Sequence, residues 1–228
     1  MTAQSPDKLE IVHGENPEWS IIWLHGLGAD GHDFEPVVRE LALPASVSVR
    51  FVFPHAPYRA VTINAGMRMR AWYDIRAMDI VSQPDVEGVE ASSKMLAALV
   101  EAEVERGVEP GRIILAGFSQ GGAIALHTAF ELHRHIAGVI ALSTYLPLPD
   151  DVDLGIASDN HDVPIFMGHG LFDPIVPVAL GEAAKERLLA GGFDVTWQTY
   201  PMPHAVSPDE IAAIRAWLLD VTGVDAEN

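Results

Sequence analysis

The sequence predicts an α/β fold, with a mainly parallel central sheet and helices on both faces. Short apolar segments of strand length alternate along the chain with longer segments of helical period, which is typical of a parallel sheet covered by helices. The chain has 228 residues and contains no internal repeat and no Gly/Ser-rich linker. We therefore expect a single domain over residues 1–228, with a core that spans about residues 20–219.

The predicted strands are short runs that are rich in apolar or β-branched residues. The first is short, whereas the second is apolar throughout, as a strand buried on both faces should be. Apolar and polar residues alternate in the third, and a proline-containing loop follows the last. In chain order the strands are expected at residues 9–12, 20–24, 47–53, 113–116, 137–143, 163–169 and 195–200.

The predicted helices lie between these strands, and two of them have clear end signals. The second helix is terminated by Gly107, and the last begins with the capping box Ser207-Pro208-Asp209-Glu210. In chain order the helices are expected at about residues 35–41, 86–106, 122–133, 178–190 and 208–219. Residues 57–83 show no clean period and are expected to form a long, irregular, lid-like insert.

The segment Gly117-Phe118-Ser119-Gln120-Gly121 has the pattern G-x-S-x-G in the setting that this motif needs. An apolar strand precedes it and a helical pattern follows it. A serine at such a strand-to-helix turn presents its hydroxyl at the edge of the sheet, and the flanking glycines allow the sharp turn. Ser119 is therefore the candidate nucleophile, provided that a base and an acid follow it.

A histidine and an aspartate later in the chain complete a predicted triad with Ser119. His204 is the last histidine and lies on a loop just past a strand, where catalytic groups of open α/β sheets gather. Asp173 follows the strand at 163–169, in a turn that contains Pro174 and Pro177. It fits the acid position better than the other aspartates between the two residues, which are Asp150, Asp151, Asp153, Asp159, Asp162 and Asp194.

Two backbone N–H groups are expected to bind the oxyanion that forms during acyl transfer. One is that of Gln120, which follows the nucleophile at the start of a helix. The other is that of Leu27, which lies between two glycines in the loop His25-Gly26-Leu27-Gly28 after the second strand. The overlapping G-x-G-x-x-G pattern at residues 26–31 also suggests a dinucleotide site, but this fingerprint is weak alone.

An ordered set of segments resembles the phospholipase/carboxylesterase family of α/β-hydrolases, which includes the acyl-protein thioesterases. The set covers about residues 20–219 and comprises Leu24–Phe34, Phe53–Pro57, Met69–Ile75, Gly117–Ala123, Ala141–Pro147, His169–Pro177 and Tyr200–His204. The resemblance implies the α/β-hydrolase fold, the triad Ser119, Asp173 and His204, and the oxyanion donors Leu27 and Gln120. Pro203 departs from the family pattern, because a glycine or another non-proline residue usually precedes the histidine.

The size of the chain and its motifs together predict a serine hydrolase without a large cap domain. Since residues 57–83 and 144–162 are the only sizeable inserts, we expect an open acyl groove near the surface. Its candidate wall residues are Trp72, Leu171 and Ile175, whereas Phe118 fits the core better. A short-chain carboxylesterase is the first expectation. The alternatives are an acyl-protein thioesterase or lysophospholipase that acts on long acyl chains and a non-catalytic binding module of the same fold.

The composition limits the partners and the compartment. A formal charge of −18 makes nucleic acid an improbable partner, and no apolar run is long enough for membrane insertion. The chain has no cysteine, which fits a cytoplasmic location. No cofactor is needed for the predicted reaction, no metal site is expected, and the partner should be a small-molecule ester or thioester. The apolar walls and residues 57–83 could also support a homodimer.

Overall fold

A seven-stranded sheet forms the centre of the protein in the computed structural model, which describes residues 7–77, 83–148 and 160–224. The sheet has the strand order β1-β3-β2-β6-β7-β8-β9. Only β1 pairs antiparallel, with β3, and every other pair is parallel. Its strands are β1 (Lys8–His13), β2 (Trp19–Leu24), β3 (Val49–Pro54), β6 (Ile113–Phe118), β7 (Gly138–Leu142), β8 (Ile165–Gly170) and β9 (Val195–Tyr200). The predicted mainly parallel sheet is confirmed.

Helices cover both faces of this sheet, as the sequence predicts. They are α1 (Val37–Glu40), α2 (Val86–Glu105), α3 (Gln120–Glu131), α4 (Val178–Ala190) and α5 (Pro208–Thr222). Buried residues of α2, α3 and α4 form one apolar cluster with one face of the sheet. Those of α1 and α5 form a second cluster with the other face. Because both faces are buried, the central strands are almost continuously apolar.

The helix expected at residues 35–41 is much shorter in the structure. A 3₁₀ turn at Gly31–Phe34 comes first, and α1 then spans only four residues. The helix cannot continue past this point, because Ala42 adopts a left-handed conformation with φ of 43°. Pro44 then follows, and proline disfavours helical geometry in the residue before it.

The insert at residues 57–83 is more regular than expected. It begins with a hairpin of β4 (Tyr58–Val61) and β5 (Met67–Arg70), which is separate from the main sheet. Each strand has four residues, which is too short for a periodic signal in the sequence. Residues 78–82 of the insert lie outside the described part of the chain, as do Asp150, Asp151, Asp153 and Asp159. Within the described ranges, no helix is long and apolar enough to span a bilayer.

Candidate active site

The predicted site residues lie on loops that leave one edge of the sheet. Ser119 follows β6, Asp173 follows β8, His204 follows β9 and Leu27 follows β2. These four strands run parallel, so their carboxyl ends meet at the same edge. Such an edge is where open α/β sheets bind their ligands. The sheet therefore brings together residues that are up to 177 positions apart in the sequence.

Ser119 occupies a strained turn between β6 and α3. Its φ of 56° and ψ of −122° lie in a region that non-glycine residues rarely adopt, at a cost of roughly 1–3 kcal/mol. Three hydrogen bonds hold the turn. The Ser119 N–H donates to Leu142 O at 2.8 Å, and its carbonyl accepts from Ala123 N at 3.1 Å and from Thr144 Oγ1 at 2.7 Å. The strained geometry lifts the hydroxyl out of the strand direction, and the side chain stays mostly buried.

The two glycines of the G-x-S-x-G motif are needed because backbone atoms approach them closely. A Cβ atom on Gly117 would lie 2.2 Å from the carbonyl carbon of Gly121. A Cβ atom on Gly121 would lie 2.3 Å from Leu24 O. Contacts of this kind cannot be relieved by a side-chain rotation, since both partners are main-chain atoms. The motif therefore encodes tight packing of α3 against β6 and β2.

His204 and Asp173 are joined by a short hydrogen bond of 2.6 Å between Nδ1 and Oδ2. The Asp173 side chain is fully buried, and its other oxygen accepts the N–H groups of Ile175 at 2.8 Å and Val176 at 2.9 Å. The carboxylate is thus held in one orientation by its own turn. Because Nδ1 is engaged with the carboxylate, Nε2 of His204 is the atom left to exchange a proton.

The loop that carries His204 is fastened to the loop that carries Asp173. Leu171 N donates to Tyr200 O at 2.8 Å, and Phe172 N donates to Met202 O at 3.1 Å. A Cβ atom on Gly170 would lie 2.4 Å from Pro203 O, so the two loops are in close backbone contact. The substitution of proline at position 203 is therefore compatible with the bond between His204 and Asp173.

Phe118 lies between His204 and Ser119. Its ring lies 4.6 Å from the His204 ring, centroid to centroid, and it directly precedes Ser119. It also packs against the apolar cluster of α1 and α5, as expected for a core residue. In the described part of the chain, no hydrogen bond joins the Ser119 hydroxyl to His204. Catalytic hydrogen bonds are often long without substrate and shorten when it binds.

The loop after β2 lies directly beside Ser119. A Cβ atom on Gly26 would lie 3.5 Å from the Cβ of Ser119. Gly28 has a φ of +79°, and its N–H donates to Arg70 O at 2.8 Å, which ties the loop to β5. No hydrogen bond in the described residues uses the Leu27 N–H. The loop can thus offer this N–H group to a ligand that is held next to Ser119.

Trp72 is not a wall of an open groove, which corrects the expectation from the sequence. It is 1% exposed and belongs to the core. Its indole N–H donates to His25 O at 2.8 Å, and its backbone N–H donates to Gln120 Oε1 at 3.1 Å. The Gln120 amide also donates to Tyr73 O at 2.9 Å. Trp72 therefore links the loop after β2 to the first residue of α3.

The other two expected wall residues are exposed, and a large cavity lies elsewhere. Leu171 and Ile175 are 47% and 62% exposed, on the turn around Asp173. Neither lines the large described cavity, which has a volume of about 640 Å³. That cavity lies between the segment after β5, the segment after β7, and helices α2, α3 and α4. Its apolar and aromatic lining includes Tyr73, Ile75, Val89, Tyr145, Leu146 and Leu180.

The walls of this cavity are attached to the turn that carries Ser119. Tyr73 receives the hydrogen bond from the Gln120 side chain, and Tyr145 follows Thr144, which binds the Ser119 carbonyl. The hydroxyls of Tyr73 and Tyr145 are hydrogen bonded at 2.7 Å, and burial raises the pKa of both, so both remain neutral. Sequence reasoning missed this lining, although Tyr73 and Leu146 lie inside segments that carry the family resemblance.

The amino-acid sequence is similar to that of characterised proteins over nearly its whole length. Residues 6–221 match the phospholipase/carboxylesterase family. A relative from Cryptococcus neoformans named acyl-protein thioesterase 1 is 36% identical and covers 93% of this chain and 96% of its own. A relative of the same name from Gibberella zeae is also 36% identical, over 87% and 88%.

Solved structures show the same fold. The crystal structure of Arabidopsis thaliana SOBER1 has a TM-score of 0.84 and 28% identity, and the match covers 90% of this chain and 99% of that one. The crystal structure of Zea mays acyl-protein thioesterase 2 has a TM-score of 0.78 at 24% identity, over 95% and 99%. The sheet and its flanking helices are therefore shared, without a large cap domain.

Proposed function

Because the chain belongs to the phospholipase/carboxylesterase family, we propose that it hydrolyses esters or thioesters of medium- to long-chain acyl groups, with Ser119 as the nucleophile. Membership of this family shows that the chain is a hydrolase. What we propose is the role of each residue and the length of the acyl chain. The observation that supports this proposal is the hydrogen bond between His204 and Asp173. It lies at the carboxyl edge of the sheet, among the same loops as Ser119.

The proposed reaction has two steps. Ser119 Oγ attacks the acyl carbonyl carbon while His204 Nε2 takes its proton, and Asp173 stabilises the resulting imidazolium. The N–H groups of Leu27 and Gln120 bind the oxyanion of the tetrahedral intermediate. His204 then protonates the leaving alcohol or thiol. In the second step, water gives a proton to His204 and attacks the acyl-serine ester, and His204 then returns the proton to Ser119 Oγ as the acid is released.

The cavity whose wall residue Tyr73 is hydrogen bonded to the Gln120 side chain supports a longer acyl chain than the short-chain preference expected from the sequence. Its volume of about 640 Å³ lies within the ~300–1,000 Å³ range of small-molecule sites and far exceeds the need of an acetyl group. Much of its lining is apolar or aromatic, which suits a hydrocarbon chain. The relatives named acyl-protein thioesterase favour the same interpretation.

Replacement of the nucleophile tests the residue roles. Ser119→Ala should lose nearly all turnover of a nitrophenyl ester and all labelling by a fluorophosphonate probe. Ser46→Ala, in an exposed turn before β3, is the matched control and should behave as the unchanged protein. Hydrolysis by Ser119→Ala at the rate of the control would exclude Ser119 as the nucleophile.

A substrate series tests the acyl chain length. We expect kcat/KM for nitrophenyl esters and matched thioesters to increase from two carbons to at least eight. Leu180→Trp, which places a larger side chain on the cavity wall, should reduce kcat/KM for long chains by ~10-fold or more and change the two-carbon rate little. Leu189→Trp, on the same helix but half exposed, is the control. A maximum at two to four carbons would instead support a short-chain carboxylesterase.

A further inference from the structure

His25 is a fully buried histidine at the start of the loop after β2, and both of its ring nitrogens contact backbone groups. Nδ1 lies 2.7 Å from the carbonyl oxygen of Gly26, the next residue in the chain. Nε2 lies 3.0 Å from the backbone nitrogen of Ala56, which follows β3. The ring is therefore fixed between two backbone groups, one in the loop after β2 and one in the loop after β3. Neither contact involves Ser119 or His204.

These two contacts determine which nitrogen of His25 carries the proton. The Ala56 N–H can only donate, so Nε2 must accept and is unprotonated. In a neutral ring the hydrogen is then on Nδ1, which donates it to Gly26 O. Burial lowers the pKa of His25 to about 4, so the ring is neutral at ordinary pH.

We propose that His25 is a positioning residue for the oxyanion site, because it fixes the orientation of the Leu27 N–H. The inference rests on the proposed function of this site. The Gly26 carbonyl and the Leu27 N–H belong to one planar peptide unit, and in a trans peptide they point in opposite directions. A hydrogen bond that holds the carbonyl towards the His25 ring therefore holds the N–H away from it.

The remaining contacts of this loop support the same role. Among the described residues, the only other donor to Gly26 O is Ala29 N at 3.4 Å, which is long for a hydrogen bond. The carbonyl of His25 itself accepts from the Trp72 indole at 2.8 Å, and Trp72 also binds the Gln120 side chain. Both oxyanion donors are thus connected through Trp72, and His25 sets the direction of one of them.

Two substitutions separate the function of the two ring nitrogens. An asparagine side-chain nitrogen is attached to Cγ, as Nδ1 is, so His25→Asn can still donate to Gly26 O. The terminal atoms of glutamine are two bonds beyond Cγ, as Nε2 is, so His25→Gln can accept from Ala56 N and loses the bond to Gly26 O. We expect His25→Gln to reduce kcat by ~10²-fold with little change in KM, since an oxyanion donor typically contributes ~10²–10³. His25→Asn should recover at least 10-fold of that loss.

The outcomes distinguish this inference from the proposed function. If Ser119→Ala is inactive while both His25 variants lose equal activity at equal melting temperature, the positioning role is wrong and the nucleophile assignment stands. If Ser119→Ala is active, the proposed function itself fails. A second measurement uses the unsubstituted protein and so does not depend on whether a variant folds. Nitrogen NMR should find the His25 proton on Nδ1 from pH 5 to 8. A proton on Nε2 would overturn the inference.

Discussion

Glu210 should make the protein less stable as the pH increases from about 4.5 to 8. The side chain is fully buried in the first turn of α5 and lies against the backbone of β8, where a Cβ atom on Gly168 would be 2.1 Å from Oε1. Neither carboxyl oxygen makes a hydrogen bond of good geometry in the described residues. Burial raises the pKa of Glu210 from the ordinary 4.5 to about 8, and the backbone N–H of Ser207 opposes this effect only weakly.

The sign and size of the effect follow from proton linkage. Between pH 4.5 and 8 the folded protein keeps the Glu210 proton, whereas the unfolded chain releases it. The stability that this group contributes is therefore complete below pH 4.5 and is lost as the pH increases to 8. At ~1.4 kcal/mol per pKa unit, the difference of roughly 3.5 units corresponds to roughly 5 kcal/mol, of which about 3 kcal/mol is lost by pH 7.

Glu210→Gln removes this titration while it keeps the side-chain volume. At pH 5 the variant should be equal to the unsubstituted protein or less stable by ~1–2 kcal/mol, because the buried amide lacks an acceptor. At pH 8.5 it should be more stable by about 3 kcal/mol. Urea unfolding at several pH values measures both differences. Asp209→Asn, an exposed neighbour in the same turn, is the control. A difference between Glu210→Gln and the unsubstituted protein that does not vary with pH would refute the reasoning.

Two further predictions concern the nucleophile turn and the triad. Gly117→Ala should destabilise the protein by ~1–3 kcal/mol or more and reduce activity, because its Cβ meets the Gly121 backbone at 2.2 Å. Gly111→Ala, with no atom within 4 Å of its Cβ, should change the unfolding free energy by less than ~0.5 kcal/mol, and an equal effect of the two would contradict the packing argument. Asp173→Asn should keep the turn, because an amide oxygen can accept the same N–H groups, but should reduce kcat by up to ~10⁴-fold. Near-normal turnover of that variant would exclude an orienting role towards His204.

Much of the fold could be predicted because the signals that specify it are local. The buried strands are short apolar runs, and α4 and β9 have the predicted bounds. The clustering of Ser119, Asp173 and His204 could also be predicted, since each follows a parallel strand and these ends share an edge of the sheet. The single domain, the homodimer and the cytoplasmic location stay predictions.

The cavity could not be predicted, because its walls come from segments that are distant in the sequence. Residues 73–76 and 145–148 and several residues of α4 are brought together by the tertiary fold. Whether a side chain is buried is difficult to predict from the sequence for the same reason. Trp72 would fit a groove wall as well as a core position, and the hydrogen bond from its indole to His25 O distinguishes the two. His127 is also buried and lines this cavity.

Several groups that are unfavourable to folding lie at the edge of the sheet where the site is. Ser119 has a strained backbone, and burial lowers the pKa of His25 and raises that of Glu210. α3 and α5 begin at this edge, so the backbone cannot relax there without loss of helix packing. Strain near a site persists only when the surrounding structure holds it. Substitutions here should therefore separate stability from activity: Glu210→Gln should increase stability at high pH, whereas changes at Ser119 or His25 should act mainly on turnover.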